Sequence, residues 1–182
     1  IKTTIALRRT TTPIAPIVWD SLQLAHQLQD QWNLAKFEGL SMLRAGALLH
    51  ELGLLIEYKN HHHHGAYIIS HTELPGFTRA QQQLLMALVY NHRADINKEI
   101  LSRQTMTSVL LAVRLSRLLR LAVVLSMRRR HEVLPEVQIS AQAESLTLTL
   151  PGGWLEQHPL MRAELEQEVA YQQQAGWLLQ LK

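Results

Sequence analysis

The sequence predicts a mainly α protein, with a helical domain over residues 1–134 and a small α+β unit of β-β-α-β order over residues 135–182. Three observations carry this. Apolar residues recur at helical spacing through most of the first 130 positions. At Pro135 the period changes, and VQISA and LTLTL alternate apolar with polar residues as half-buried strands do. Hydrophobic residues make up 47% of the 182 and charged residues 18%, a balance that supports a core and excludes a disordered chain.

The first helix is expected to start at Thr12 as N-cap with Pro13 in the first turn, placing Ile14, Ile17 (or Val18), Leu22, Ala25 and Leu28 at helical spacing. A second runs from about Lys36 to Leu54 and carries His50 and Glu51. Lys59 and Asn60 break the pattern, and HHHHGAYIIS resumes as a shorter helix. ELPGF, residues 73–77, reads as a turn, and Thr78 caps the helix of TRAQQQLLMALVYNHR. MTSVLLAVRLSRLLRLAVVLSMRRR gives the longest helix, aliphatic around most of its circumference and therefore largely buried. In the last segment AESL connects two strands, PGGW turns, HPLMRAELEQEVAYQQQ is helical and WLLQL is the third strand. Trp154 and Trp177 are expected to anchor the core of the small unit.

The charge pattern narrows the function. Net charge is only +3, yet from Gln104 to His131 there are six arginines and no acidic residue. Arg117, Arg120 and Arg93, then Arg128, Arg129 and Arg130, are the candidates for a wall that binds a polyanion. Nucleic acid is a poor fit, with two phenylalanines and no interleaving of basic and aromatic residues. No run of about 18 apolar residues offers a membrane span. The chain has no cysteine, which removes thiolate metal sites and cysteine nucleophiles and suits a cytoplasmic setting. It starts without methionine, as a fragment or a processed chain does.

Residues 46–67 hold five histidines and two glutamates. Metal hydrolases of the HD type place a His, an adjacent His-Asp pair, further histidines and a final Asp around an ion. His50 and Glu51 imitate the pair, and His64 and His92 are the expected additional imidazoles. Val123 stands where the final carboxylate belongs, and no histidine precedes His26 to serve as the first ligand. Such a set is a degenerate site that binds a divalent ion poorly, with chance binding by an exposed run at His61 to His64 as the remaining metal chemistry.

LLHELGL (48–54), HGAYIISHTELPGFTRAQQQLL (64–85), LSRLLRLAVVLSMRRR (115–130) and LTLTLPGGWLEQHPL (146–160) together resemble the C-terminal region of the exopolyphosphatase/guanosine pentaphosphate phosphohydrolase (Ppx/GppA) family. RRR (128–130), VLPE (133–136) and GGWLEQHPL (152–160) look closer to its guanosine pentaphosphatase branch. The resemblance implies an HD-like helical domain with a decayed metal site and a small α+β domain. It further implies a pair of N-terminal actin-like domains, absent from this sequence, that carry the catalytic glutamate, the glycine-rich phosphate loops and the magnesium-dependent chemistry. No catalytic residue is carried over to this chain. A homodimer, a cytoplasmic location and a role in stringent-response nucleotide metabolism are implied with it, as is a polyphosphate or other phosphate-rich substrate. The competing expectation is a self-sufficient HD-type metal-dependent nucleotide phosphohydrolase.

Overall fold

The computed structural model describes residues 16–34, 38–127 and 135–182. Helix α1 (Pro16–Gln27) is followed by a single turn, α2 (Gln29–Trp32). Then come α3 (Gly39–Leu49), a 3-10 turn (Leu52–Leu55), α4 (His61–His71), α5 (Arg79–Tyr90) and the short α6 (Lys98–Ser102). Helix α7 (Val109–Ser126) closes the helical part. Strands β1 (Gln138–Gln142) and β2 (Ser145–Thr149) precede α8 (Trp154–Gln157), α9 (Pro159–Gln174) and β3 (Leu179–Leu181). The expected starting cap Thr12–Pro13 lies outside the described residues.

Local chemistry sets several of these boundaries. Leu74 to Phe77 forms the turn, with Phe77 N–H donating to Leu74 O (3.1 Å) and Gly76 at φ 93°, a value glycine reaches without steric cost. Thr78 then makes a capping box: its Oγ1 accepts from Gln81 N (3.1 Å), and Gln81 Oε1 accepts from Thr78 N (2.9 Å). Thr78→Ala should cost about 1 kcal/mol of stability, read from the urea midpoint. Ser108 caps α7 with its side chain alone, accepting from Leu111 N at 3.1 Å.

Helix α7 is the axis of the fold and packs against α1, α3, α5, α6 and α9. Its inward residues include Leu115, Leu118, Leu119, Leu121 and Ala122, each fully buried. One hydrophobic cluster continues from there into Ile139, Leu146, Leu148, Leu165 and Leu179, so the helical and α+β segments share a core. The sheet has the order β1-β2-β3: β1 and β2 form an antiparallel hairpin with Gln142 opposite Ser145, and β3 lies parallel to β2 after the α8–α9 crossover. The outer edge of β1 is met by Gln27 of α1, whose Nε2 donates to Val137 O (3.1 Å) while its Oε1 accepts from Ile139 N (2.8 Å).

Two expectations need correction. The second helix ends at Leu49, not Leu54, because the chain tightens into the 3-10 turn as it meets α4. There Gly53 lies backbone to backbone against α4: a Cβ on it would stand 1.7 Å from His61 O and 2.6 Å from Gly65 N. Trp154 and Trp177 are only partly buried against the core. The deepest tryptophan is Trp32, 1% exposed, which donates from Nε1 to Ala143 O at 2.9 Å and so ties α2 to the hairpin loop.

Candidate functional site

The end of α3, the 3-10 turn and the ends of α4 and α5 converge on a cleft of about 560 Å³, closed on the far side by α7 and α9. His50 leaves α3, Glu51 follows it, His61 opens α4, and His92 comes two residues after α5 ends. The His92 ring is central, with its centroid 5.3 Å from those of both His50 and His61. Each ring is tethered through Nδ1 to a main-chain carbonyl: His50 to Ala47 O (2.9 Å), His61 to Tyr58 O (3.1 Å) and His92 to Val89 O (2.6 Å). A carbonyl only accepts, so a ring bonded this way carries its proton on Nδ1 and turns an Nε2 lone pair outward. At His61 the arrangement is contested, since Arg93 Nη1 also reaches Nδ1 at 3.2 Å, and one nitrogen cannot donate to Tyr58 and accept from Arg93 at once.

These imidazoles are held uncharged. Burial is the largest cause in each case, lowering the pKa of His50 and His61, taking His62 down to about 4 and His92 well below the ordinary 6.5. His62 is buried beside the cluster, and its Nδ1 has no hydrogen-bond partner among the described residues. Because these pKa values are depressed on folding, the stability that depends on neutral rings is fully present above pH 6.5, where unfolded histidine is also neutral. Below it, the unfolded chain takes up protons that the folded chain refuses. The urea midpoint should therefore fall steadily from pH 6.5 toward 4, and a flat profile would count against buried neutral rings.

His64 is not brought into this group. It turns instead toward Glu57, Nε2 to Oε2 3.6 Å, and the third imidazole of the cluster is His61. The run is exposed only in part, at His63 and to a lesser degree His64. His61 and His62 are buried, and His63 stacks on Tyr90 with centroids 4.4 Å apart. Four consecutive histidines gave no indication of which register faces the cleft.

A divalent ion of the magnesium type requires hard oxygen ligands in near-octahedral array. Here the converging groups are three imidazoles with Glu51 beside them, while Glu168 is spent on Arg120. Val123 lines the cleft at the expected carboxylate position, α1 presents Pro16 and Ile17, and His26 is exposed and outside it. Among the described residues, no three or more His, Asp or Glu side chains are arranged to hold an ion. The described residues do not fit such an ion.

The arginines differ most from expectation. Arg117 and Arg120 are fully buried rather than facing a cleft, because each has found acceptors inside the protein. Arg120 forks onto Glu168 (Nε to Oε1 2.8 Å, Nη2 to Oε2 2.9 Å) and also donates to Asn91 O (2.6 Å) and Ala94 O (2.8 Å), clamping the loop that bears His92 and Arg93. Arg117 donates to Gln172 Oε1 (2.7 Å), Leu178 O (2.8 Å) and Glu144 O, between the rings of Trp32 and Trp177. Burial pulls its pKa down to about 10, opposed by Glu144 and Glu168. Arg114 pairs with Glu144 and donates to Trp32 O (3.1 Å). The stripe binds α7 to the α+β unit. Arg93 alone of the first-ranked three reaches the cleft, half-buried and paired with no carboxylate among the described residues. Arg128, Arg129 and Arg130 lie outside the described residues.

A helical body whose cleft gathers three imidazoles, fused to a three-stranded unit through a shared core, defines a mainly α protein with a small α+β portion. Over residues 15–169 the sequence matches the family model described as Ppx/GppA phosphatase, domain III, and the chain belongs to that family. Similar relatives include the proteins named guanosine-5'-triphosphate,3'-diphosphate pyrophosphatase of Aeromonas hydrophila (46% identical over 157 residues) and Aeromonas salmonicida (45% over 157). The Pseudoalteromonas translucida protein of that name is 44% identical over 158 residues. The matches cover 86–87% of this chain but only 32% of each relative, so the chain spans about a third of the length of the curated relatives it matches.

Proposed function

We propose that this chain is the substrate-binding and regulatory portion of a phosphoanhydride hydrolase that converts guanosine pentaphosphate to the tetraphosphate, trims polyphosphate, or does both. The observation that carries the reading is the match along nearly the whole chain to relatives bearing a pyrophosphatase name, confined to a third of their length. The sequence supports it from the other side. Its only adjacent glycines, Gly152 and Gly153, lie in the PGGW turn, and it contains no glycine-rich phosphate loop. Magnesium and the catalytic carboxylate then belong to actin-like domains outside this sequence, and the protein acts in the cytoplasm as a homodimer in stringent-response nucleotide metabolism.

Phosphoanhydride hydrolysis requires positive charge at the polyanion as well as an activated water. Arg93 supplies it from the described cleft, Arg128, Arg129 and Arg130 are the further candidates by sequence, and Arg117 and Arg120 hold the wall in place. In the full-length protein Arg93→Gln should raise KM about tenfold with kcat little changed, as expected for lost ground-state binding. The deciding assay is turnover of guanosine pentaphosphate by the full-length protein and by this chain alone, with magnesium or manganese. Turnover is expected only from the former. Chelator-sensitive turnover by the chain alone would replace this reading with that of a self-sufficient HD-type enzyme.

A further inference from the structure

The loop from Asn91 to Asn97, between α5 and α6, is braced more heavily than a surface connection between two helices requires. Asn91 is fully buried, and its side chain spans the loop: Nδ2 donates to Ala87 O (3.0 Å) near the end of α5, and Oδ1 accepts from Asn97 N (2.6 Å). Asn97 in turn caps α6, its Oδ1 accepting from Ile100 N at 3.2 Å. Arg120 holds the middle through Asn91 O and Ala94 O, and His92 is tied through Nδ1 to Val89 O.

Ala94 shows that the bracing works against a local cost. Its φ is 55°, in the left-handed region where a Cβ crowds the following carbonyl oxygen. Glycine, asparagine or aspartate takes this conformation more readily, so an alanine persists there because the surrounding bonds over-determine it. Glycine would relieve the strain, but it would also widen the range of shapes open to the loop. Alanine keeps that range narrow.

The side chain that this loop delivers to the cleft is Arg93, next to the strained Ala94. Its Nη1 lies 3.2 Å from His61 Nδ1, and it is the one guanidinium lining the cleft among the described residues. An arginine on a loose loop gives up both loop and rotamer freedom when it takes hold of a ligand, and that loss weakens binding. Where folding has already fixed the loop, the loss at binding is smaller. We propose that the 91–97 loop is a rigid mount that sets the Arg93 guanidinium in the cleft before any ligand arrives, with Asn91 and Ala94 as positioning residues acting through Arg93. This deepens the function proposed above and rests on it for the polyanion that Arg93 meets.

NMR relaxation of the Arg93 Nε–H group tests the mount directly. Its order parameter in the unliganded chain should be close to that of rigid backbone, about 0.85, and Ala94→Gly should lower it to about 0.6 with the melting temperature unchanged or higher. In the full-length protein Ala94→Gly should raise KM for guanosine pentaphosphate about threefold with kcat unchanged. Added to Arg93→Gln it should raise KM no further, because a mount without its arginine has nothing to position. Asn91→Ala, which takes the acceptor from Asn97 N, should lower the order parameter and the melting temperature together. Ala94→Gly removes no side-chain hydrogen bond and decides the matter even where Asn91→Ala fails to fold. A mobile Arg93 in the parent chain, an order parameter unmoved by Ala94→Gly, or multiplying effects on KM in the double variant would each overturn the mount. So would an unchanged KM for Ala94→Gly where Arg93→Gln raises it. An Arg93→Gln protein of unchanged KM would instead remove Arg93 from the function proposed above, and the order parameter would still decide the mount.

Discussion

Replacing Arg120 with alanine should destabilise the protein by about 3–5 kcal/mol, the range seen when one partner of a buried ion pair is removed. The substitution strands the Glu168 carboxylate, which is 4% exposed, and leaves the carbonyls of Asn91 and Ala94 without their donor. Chemical denaturation measures the loss. The double variant Arg120→Met, Glu168→Leu separates the contributions. It removes the stranded charge and should regain part of the stability, but not all, because the two carbonyls still lack a hydrogen bond. The same variant should loosen the His92 loop, seen as faster amide exchange over residues 91–94. An Arg120→Ala protein of native stability would show that the clamp contributes nothing, and would return Arg120 to the pool of candidates for substrate contact.

Gly53→Ala should be nearly as damaging, at about 3 kcal/mol or more. Its Cβ would sit 1.7 Å from His61 O, and the atoms it meets are main chain rather than a flexible side-chain end, so the 3-10 turn must move away from α4. That movement separates Glu51 from His61 and opens the cleft on one side. Gly152 is the matched control. A Cβ there meets nothing within 4 Å, and Gly152→Ala should stay within about 0.5 kcal/mol of the parent in the same urea experiment.

The parts of the fold that were legible in the sequence are those set by local chemistry. Periodicity gave the helices and the switch to strands at Pro135. Thr78 with Gln81 three residues on is a cap whose partners are adjacent in the chain, and Pro75–Gly76 sets a turn by backbone preference alone. The arginine stripe was visible, but its direction was not. A guanidinium is buried only if distant residues supply acceptors, and those of Arg120 and Arg117 stand 48 and 55 positions away at Glu168 and Gln172. Glu168 carries no local mark that separates it from half-buried Glu164 and exposed Glu166 on α9. The histidine cluster was half legible. His50, Glu51 and His92 were placed, but choosing His61 over His64 requires knowing where α4 begins and how close Gly53 lets the turn approach.

The side-chain amide of Gln27 against β1 has a bearing on how copies of this protein associate. An amide presents one donor and one acceptor at the spacing of a peptide group, so it caps Val137 O and Ile139 N as a neighbouring strand would. A second molecule seeking to extend the sheet at this border must first evict that amide, and it gains no new hydrogen bonds there for doing so. Self-assembly by edge pairing is thereby discouraged at β1, and a subunit interface is better made through helix faces.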